Sequence, residues 1–294
     1  MFVQSVKFVE EHGGRKGDVR VFGQEAVPTT WRLAKMNLAV RHIDAELGDG
    51  PADSFHEDKH PDLRADFVLA NPPFNQSEWG GHLLRSDRRW AFGIPAETNA
   101  NFAWVQLFLH HLAPTGTAGF VLATGALSAR GQDAEIREHI VDAGIVDCIV
   151  SLPSKLFFGT PTTSVALWFL SKGKQTRATR RDEVLMIDAR AAGRLVARNQ
   201  RVLTDDDVAT IADTFHEWRD GGDFSDVVGF CRSVQVDDIR SRGYLLTPGT
   251  YVGNVIGSES DLTDVAVARA ELAGLMAETS RLGNALLEQL DRIS

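Results

Sequence analysis

Asn71-Pro72-Pro73-Phe74 follow directly on a largely apolar run, Asp66-Phe67-Val68-Leu69-Ala70. An apolar run of this length reads as a buried strand, so the tetrapeptide sits where a strand ends. The Asn71 side-chain oxygen and the Pro72 carbonyl are two acceptors, and the prolines hold the backbone with fixed φ and no competing N–H. Phe74 adds an aromatic face. Together these groups suit methylation of the exocyclic amine of a planar base. Such an amine is a poor nucleophile because its lone pair is spread into the ring, yet at neutral pH it carries no proton that must leave first. Two preset acceptors that draw the nitrogen toward tetrahedral geometry therefore help more than a general base. Phe74 offers a surface on which a base taken out of its helix can stack. The competing reading is a proline-rich turn with Phe74 plugging the core, and turn chemistry alone makes it the weaker one.

Two acids are placed for a nucleoside-like ligand. Glu25 lies just past the short apolar segment Val19-Arg20-Val21-Phe22, where an acid after a strand can hold the hydroxyls of a ribose. In isolation an exposed acid at a helix start, favoured by the helix dipole, explains it equally well. Asp53, in a connection rich in Gly, Asp and Pro, could accept from an adenine amino group; by itself it is ordinary turn chemistry.

The elements that must position these residues follow from periodicity. Residues 2–12 predict a helix with Phe2, Val6 and Val9 on one face, stopped by Gly13-Gly14. A second helix opens at Pro28 and runs to about His42. Further helices are expected over Asn101–Leu112 and Gln132–Ala143, with strands near Asp66–Ala70, Gly119–Ala123, Ile145–Leu152, Val165–Leu170 and Glu183–Asp188. Strands alternating with helices of this length spell an α/β fold with a doubly wound, mostly parallel sheet, in which ligands bind where strands end. After Asp188 the pattern changes to a capped amphipathic helix from Thr204, a loop-rich stretch over 221–260, and a long helix from about Asp261. That last helix carries Leu272, Leu275, Leu282, Leu286, Leu290 and Ile293 near heptad spacing, a stripe suited to a partner chain. The expected division is therefore a catalytic region over 1–200 and a mostly helical region over 201–294 that serves subunit assembly.

Composition bounds the possibilities. The chain has 294 residues, 43% of them hydrophobic and 24% charged, which is ordinary for a globular protein. No apolar stretch is long enough to span a bilayer and no basic-then-apolar leader opens the chain, so no membrane role is expected and a cytoplasmic location is. Cys148 and Cys231 make no disulfide framework or metal spacing; Cys148 reads as core, His110-His111 as a helix surface pair, and no metal site is expected. The net charge of −9 argues against this chain alone gripping nucleic acid over a wide face. Local basic clusters exist at Arg85, Arg88 and Arg89, and at Lys172, Lys174, Arg177, Arg180 and Arg181. Each is expected in a solvated loop, with phosphate contact as the other reading.

With these motifs in place, the chain resembles the modification subunits of type I restriction–modification systems, within the N6-adenine DNA methylase family. The resemblance runs through VFGQEAVPTTWRLAKMNLAVRHID, DLRADFVLANPPFNQSEWG, NFAWVQLFLHHLAPTGTAGFVLATGALS, LPSKLFFGTPTTSVALWFLSKGK and VLMIDAR, nearly the whole chain. It implies an S-adenosylmethionine cofactor, methyl transfer to the amino nitrogen of adenine in double-stranded DNA, and assembly with a specificity subunit and commonly a restriction subunit. By the same resemblance Asn71, Pro72, Pro73 and Phe74 form the catalytic segment, Glu25 binds the ribose, and Asp53 is a weaker candidate for the cofactor adenine. Family members also carry, ahead of the residues matching Met1, a helical region and a first sheet strand ending in a D-P-x-x-G-S-G-G loop that cradles the cofactor. This sequence contains neither. The expectation that follows is an N-terminally truncated fold lacking its first strand, with a bare sheet edge and part of the cofactor pocket missing. Such a chain would be inactive alone, or would be a non-catalytic remnant that only binds the specificity subunit.

Overall fold

The structure, a computed structural model, describes residues 1–157, 163–176 and 180–253, together with Met276 and Arg281. The helix expected from about Asp261 thus lies, those two positions apart, outside the described residues. The chain divides into two compact units, Met1–Val252 and Gly253–Ser294.

The first unit opens with helix α1 (Phe2–Glu11), a short strand β1 (Val21–Phe22), helix α2 (Pro28–Val40) and strand β2 (Ala45–Glu46). β1 and β2 pair in parallel, and Val6, Val21, Leu38, Ile43 and Leu47 close a small core between them and the helices. α2 starts at a proline in its first turn, where a missing N–H costs nothing. The Trp31 indole donates to the Leu47 carbonyl at 2.8 Å and pins the helix to the end of β2.

The main sheet follows. Its strands are β3 (Ala65–Ala70), β4 (Leu112–Ala123), β5 (Val146–Ser151), β6 (Val165–Ser171) and β7 (Glu183–Asp188), joined later by an edge strand. Helix α3 (Asn101–His111) leads into β4, and α4 (Gln132–Asp142) connects β4 to β5. After β7 come a small hairpin, β8 (Arg194–Ala197) with β9 (Gln200–Val202), then α5 (Asp205–Asp220), the edge strand β10 (Cys231–Gln235) and α6 (Val236–Ser241). The six-stranded order is β10-β7-β5-β6-β4-β3. β3, β4, β5 and β7 run one way; β6 and β10 oppose them. α3 and α4 bury Phe102, Val105, Leu109, Ile136 and Ile140 on one face, against Phe120, Ile149 and Trp168. α5 covers the other face through Trp218, Ile211 and Phe215 over Val150, Leu185 and Ile187. This is the doubly wound, mostly parallel α/β arrangement that the alternating pattern predicts.

β4 begins earlier than its apolar run implies. It pairs with β3 at Leu112 and again from Thr117, and the intervening residues bulge. Gly116 lies in that bulge, where a Cβ would meet the Ala65 carbonyl oxygen at 2.7 Å, so only glycine fits without movement. β10 and the β8–β9 hairpin were not expected. β10 buries only Cys231 and Val234, and β8 is exposed throughout, so neither leaves an apolar signature. Residues up to Val252 consequently contribute to the body of the sheet. α5, by contrast, obeys its signals. Thr204 Oγ1 accepts from the Asp207 amide at 3.1 Å, Asp207 Oδ2 accepts from the Thr204 amide at 2.7 Å, and Gly221 ends the helix at φ 75°.

Candidate active site

The Asn71–Phe74 segment leaves the C-terminal end of β3. Pairing of Ala70 with Phe120 of β4 holds its near side. Pro72 is buried and Asn71 is exposed, and no hydrogen bond among the described residues engages the Asn71 amide. The Phe74 ring packs on the α5 face of the sheet and meets Phe157 edge-on, with centroids 6.3 Å apart. An exposed acceptor, a rigid proline corner and two aromatic rings thus share one end of the sheet. Phe157 was not singled out from the sequence, because a phenylalanine in a loop carries no periodic signal.

The two acids come together by backbone pairing. The Ala52 amide donates to the Glu25 carbonyl at 3.0 Å, which sets Asp53 beside the turn after β1. Gln24 staples the same loop: its Nε2 donates to the Ala52 carbonyl at 3.1 Å and the Glu57 carbonyl at 2.7 Å, and its Oε1 accepts from the Lys59 amide at 3.0 Å. Glu25 Oε1 accepts from the Val27 amide at 2.8 Å; Asp53 Oδ1 accepts from Phe55 at 2.7 Å and His56 at 3.2 Å. Each acid keeps a second oxygen that no described residue bonds. Two oriented carboxylates with spare acceptor capacity fit the donors of a nucleoside, the hydroxyls of its ribose and the amino group of its base.

The Asp53 loop is tied in turn to the segment that follows Phe74. Phe55 inserts among Trp79, Trp90 and Trp104, with centroids 4.3 to 6.4 Å away. His56 Nε2 pairs with the Trp79 carbonyl at 2.9 Å. Arg89 closes the link by donating to the Ser54 carbonyl at 2.9 Å and to the Phe55 carbonyl, while Nε holds Asp87 Oδ1 at 2.9 Å. Burial pushes the Asp87 carboxyl up, and the bonds from Arg89 more than offset it, so the group stays below its ordinary range. The contacts do not join Asn71 directly to Glu25 or Asp53; the connection runs through Phe55, Trp79 and Arg89.

The basic clusters differ from expectation. Arg89 is buried and holds backbone, so it is not a solvated loop cation. Arg85 pairs with Glu97, and Arg88 is exposed. In the second cluster Arg177 lies outside the described residues. Lys174 is fully buried, donating to the Val146 carbonyl at 2.5 Å and to the Glu183 carbonyl. Arg180 is buried with Nη1 2.8 Å from both Asp147 oxygens. These two charges hold the sheet together and cannot meet phosphate. His111 also departs from a surface role: it is largely buried, 3.2 Å from Asp58, and burial lowers its pKa while Asp58 opposes the shift.

The doubly wound sheet is the fold of a solved methyltransferase subunit of a type I restriction–modification system. Within that class the chain belongs to the N-6 DNA methylase family, whose profile matches residues 1–260. It is 42% identical over 278 residues to the type I restriction enzyme HindI methylase subunit of Haemophilus influenzae, covering 94% of this chain and 61% of that protein. It is 36% identical to the MjaIX methylase subunit of Methanocaldococcus jannaschii, covering 99% of this chain and 53% of the relative. The type I methyltransferase subunit from Streptococcus thermophilus superposes with a TM-score of 0.68 at 26% identity, over 77% of this chain and 47% of that one. The chain spans about half to three fifths of the length of these relatives.

Proposed function

We propose that this chain carries the methyl-transfer centre of a site-specific DNA adenine N6-methyltransferase, as part of a type I modification complex. The observation that carries the reading is the exposed, unengaged Asn71 amide at the end of β3, next to the fixed Pro72 and the Phe74–Phe157 pair. An adenine rotated out of duplex DNA stacks on the aromatic pair. Its amino group donates to Asn71 Oδ1 and to the Pro72 carbonyl, which stabilises the positive charge that grows on the nitrogen as the new bond forms. Pro73 keeps the corner from relaxing. The nitrogen then loses a proton to solvent.

Glu25 and Asp53 would hold S-adenosylmethionine, Glu25 at the ribose hydroxyls and Asp53 at the adenine amino group. When bound, the cofactor supplies a methyl group on a sulfonium centre. The net charge of −9 argues against a wide phosphate-binding face on this chain, and Arg89, Lys174 and Arg180 are buried away from any such contact. We infer that a specificity subunit supplies the sequence reading and most of the phosphate contact. Residues 201–294 would contribute to assembly with it and with a restriction subunit. No described helix is long and apolar enough to cross a membrane, in keeping with a cytoplasmic complex.

The test is Asn71→Ala in a complex reconstituted with the specificity subunit, with transfer of labelled methyl to unmethylated bacterial genomic DNA as readout. Turnover is expected to fall on the order of a hundredfold or more, as for loss of a preorganised polar group at developing charge, while the complex still assembles. Retained methylation would remove Asn71 from the chemistry.

A further inference from the structure

We propose that Asn101 is a positioning residue for the acceptor corner, holding Asn75 and through it the Pro73–Phe74 turn in the conformation that keeps Asn71, Pro72 and Phe74 aimed. This rests on the function proposed above. Asn101 opens α3 and is only 3% exposed. An asparagine at a helix start ordinarily turns its oxygen onto N–H groups of its own first turn. Here both polar atoms go elsewhere. Oδ1 accepts from the Asn75 amide at 3.0 Å, and Nδ2 donates to Asn75 Oδ1 at 2.9 Å. The backbone N–H can only donate, so it fixes which way the Asn101 amide faces, and that in turn fixes the Asn75 side chain.

Asn75 is the residue immediately after Phe74, and it sits in the left-handed region at φ 53°. A non-glycine residue held there costs energy unless its surroundings enforce it. The neighbours of Asn101 add to the hold. The Ala100 amide donates to the Gln76 carbonyl at 2.9 Å, and Asn99 Nδ2 lies 3.4 Å from Asn75 Oδ1. The corner is thereby gripped at both ends, by the β3–β4 ladder before Asn71 and by the start of α3 after Phe74. Burial makes the grip firm on the Asn101 side, because its amide left without Asn75 would be an unpaired polar group away from water, whereas Asn75 itself is exposed.

The experiment measures turnover and KM for S-adenosylmethionine in the reconstituted complex, with unmethylated bacterial genomic DNA as acceptor. Asn101→Asp keeps the acceptor for the Asn75 amide but sets a carboxylate oxygen against Asn75 Oδ1. Turnover should fall by about tenfold to a hundredfold, the cost of a small misplacement of reacting groups, with the cofactor KM unchanged. Adding Asn75→Gly, which keeps the left-handed backbone and removes the opposing oxygen, should recover most of that loss. A purely structural asparagine would show no such rescue. Full turnover in Asn101→Asp, or a loss that Asn75→Gly does not relieve, overturns the proposal. If Asn101→Asp does not assemble, Asn101→Ala, which removes both contacts to Asn75 without adding a charge, decides: lowered turnover at unchanged KM supports the proposal and full turnover overturns it. Asn71→Ala run alongside separates the two failures. Activity retained there removes the corner from the chemistry, whereas activity lost there and kept in Asn101→Asp removes only the positioning role.

Discussion

The two ends of the main sheet are built on opposite principles. At the β5–β7–β10 end, buried charges and hydrogen bonds lock several elements together. Asp147 of β5 holds Arg180, Lys174 bridges the carbonyls of Val146 and Glu183, and the Glu183 carboxylate takes Ser233 Oγ at 2.7 Å and Gln235 Nε2 at 2.8 Å. Ser233 in turn accepts from the Trp218 indole of α5 at 2.8 Å. At the other end, β3 pairs only with β4 among the described strands, and Phe67 and Leu69 are 76% and 51% exposed. The candidate catalytic corner belongs to this open end. This buried polar network lies away from the corner, whose neighbouring contacts are local: Asn101 on Asn75, and the aromatic cluster around Phe55.

The sharpest way to break this contrast is Arg180→Met. Leaving the buried Asp147 without Arg180 should cost up to about 3–5 kcal/mol of folding stability, read from chemical denaturation of the chain. A loss no larger than that of a surface substitution would mean that the locked end is not locked. Lys174 provides a pH-dependent version. Burial pulls its pKa down from 10.5 to about 8, so between those values the unfolded chain binds more protons than the folded one. The stability contribution of this group therefore rises as pH climbs from about 8 to about 10.5, and below about 8 the full cost of burying the charge is present. The stability difference between the native chain and Lys174→Met should move in favour of the native chain across that window; a flat difference would contradict it. A smaller effect is expected at the cap of α5, which covers the locked end. Thr204→Ala should cost about 1 kcal/mol, seen as a lowered denaturation midpoint. At the open end Phe67→Ala should change stability by no more than about 0.5 kcal/mol, because so little of the ring is buried. A large loss there would show that the open end is closed in solution.

What the sequence revealed follows the same division. The end of β3 could be read from the apolar run and the Asn71–Phe74 corner, because strand pattern and proline geometry are both local signals; the burial expected of that run does not hold, since β3 pairs on one side only and Phe67 and Leu69 are exposed. Glu25 and Asp53 could be picked out as acids, but their proximity depends on the Ala52–Glu25 backbone bond and the Gln24 contacts, all between residues far apart in the chain. The basic stretch from Lys172 to Arg181 looks like a solvated loop because charge is visible in a sequence and burial is not. The partner of Arg180 is Asp147, 33 residues earlier, inside a strand that reads as plain core. β10 escapes detection for a related reason: two of its five side chains face solvent, and its pairing comes from the free edge of β7 rather than from its own composition. Arg89, Phe55 and Asn101 act through carbonyls and amides, and no residue pattern announces such contacts.

The antiparallel strand β6 also sets an order of assembly. It lies between β4 and β5, yet it follows both in the chain. As a nascent polypeptide emerges, β3 with β4 forms one half, and β5, which has no direct pairing with β4, starts the other. Only when Val165–Ser171 arrives can Trp168 enter between Phe102 and Phe120 and join the halves into one core. β7 and β10 follow β6 in the chain and add on the far side of β5, so the exposed flanks of β4 and β5 are the surfaces that need protection until β6 is in place.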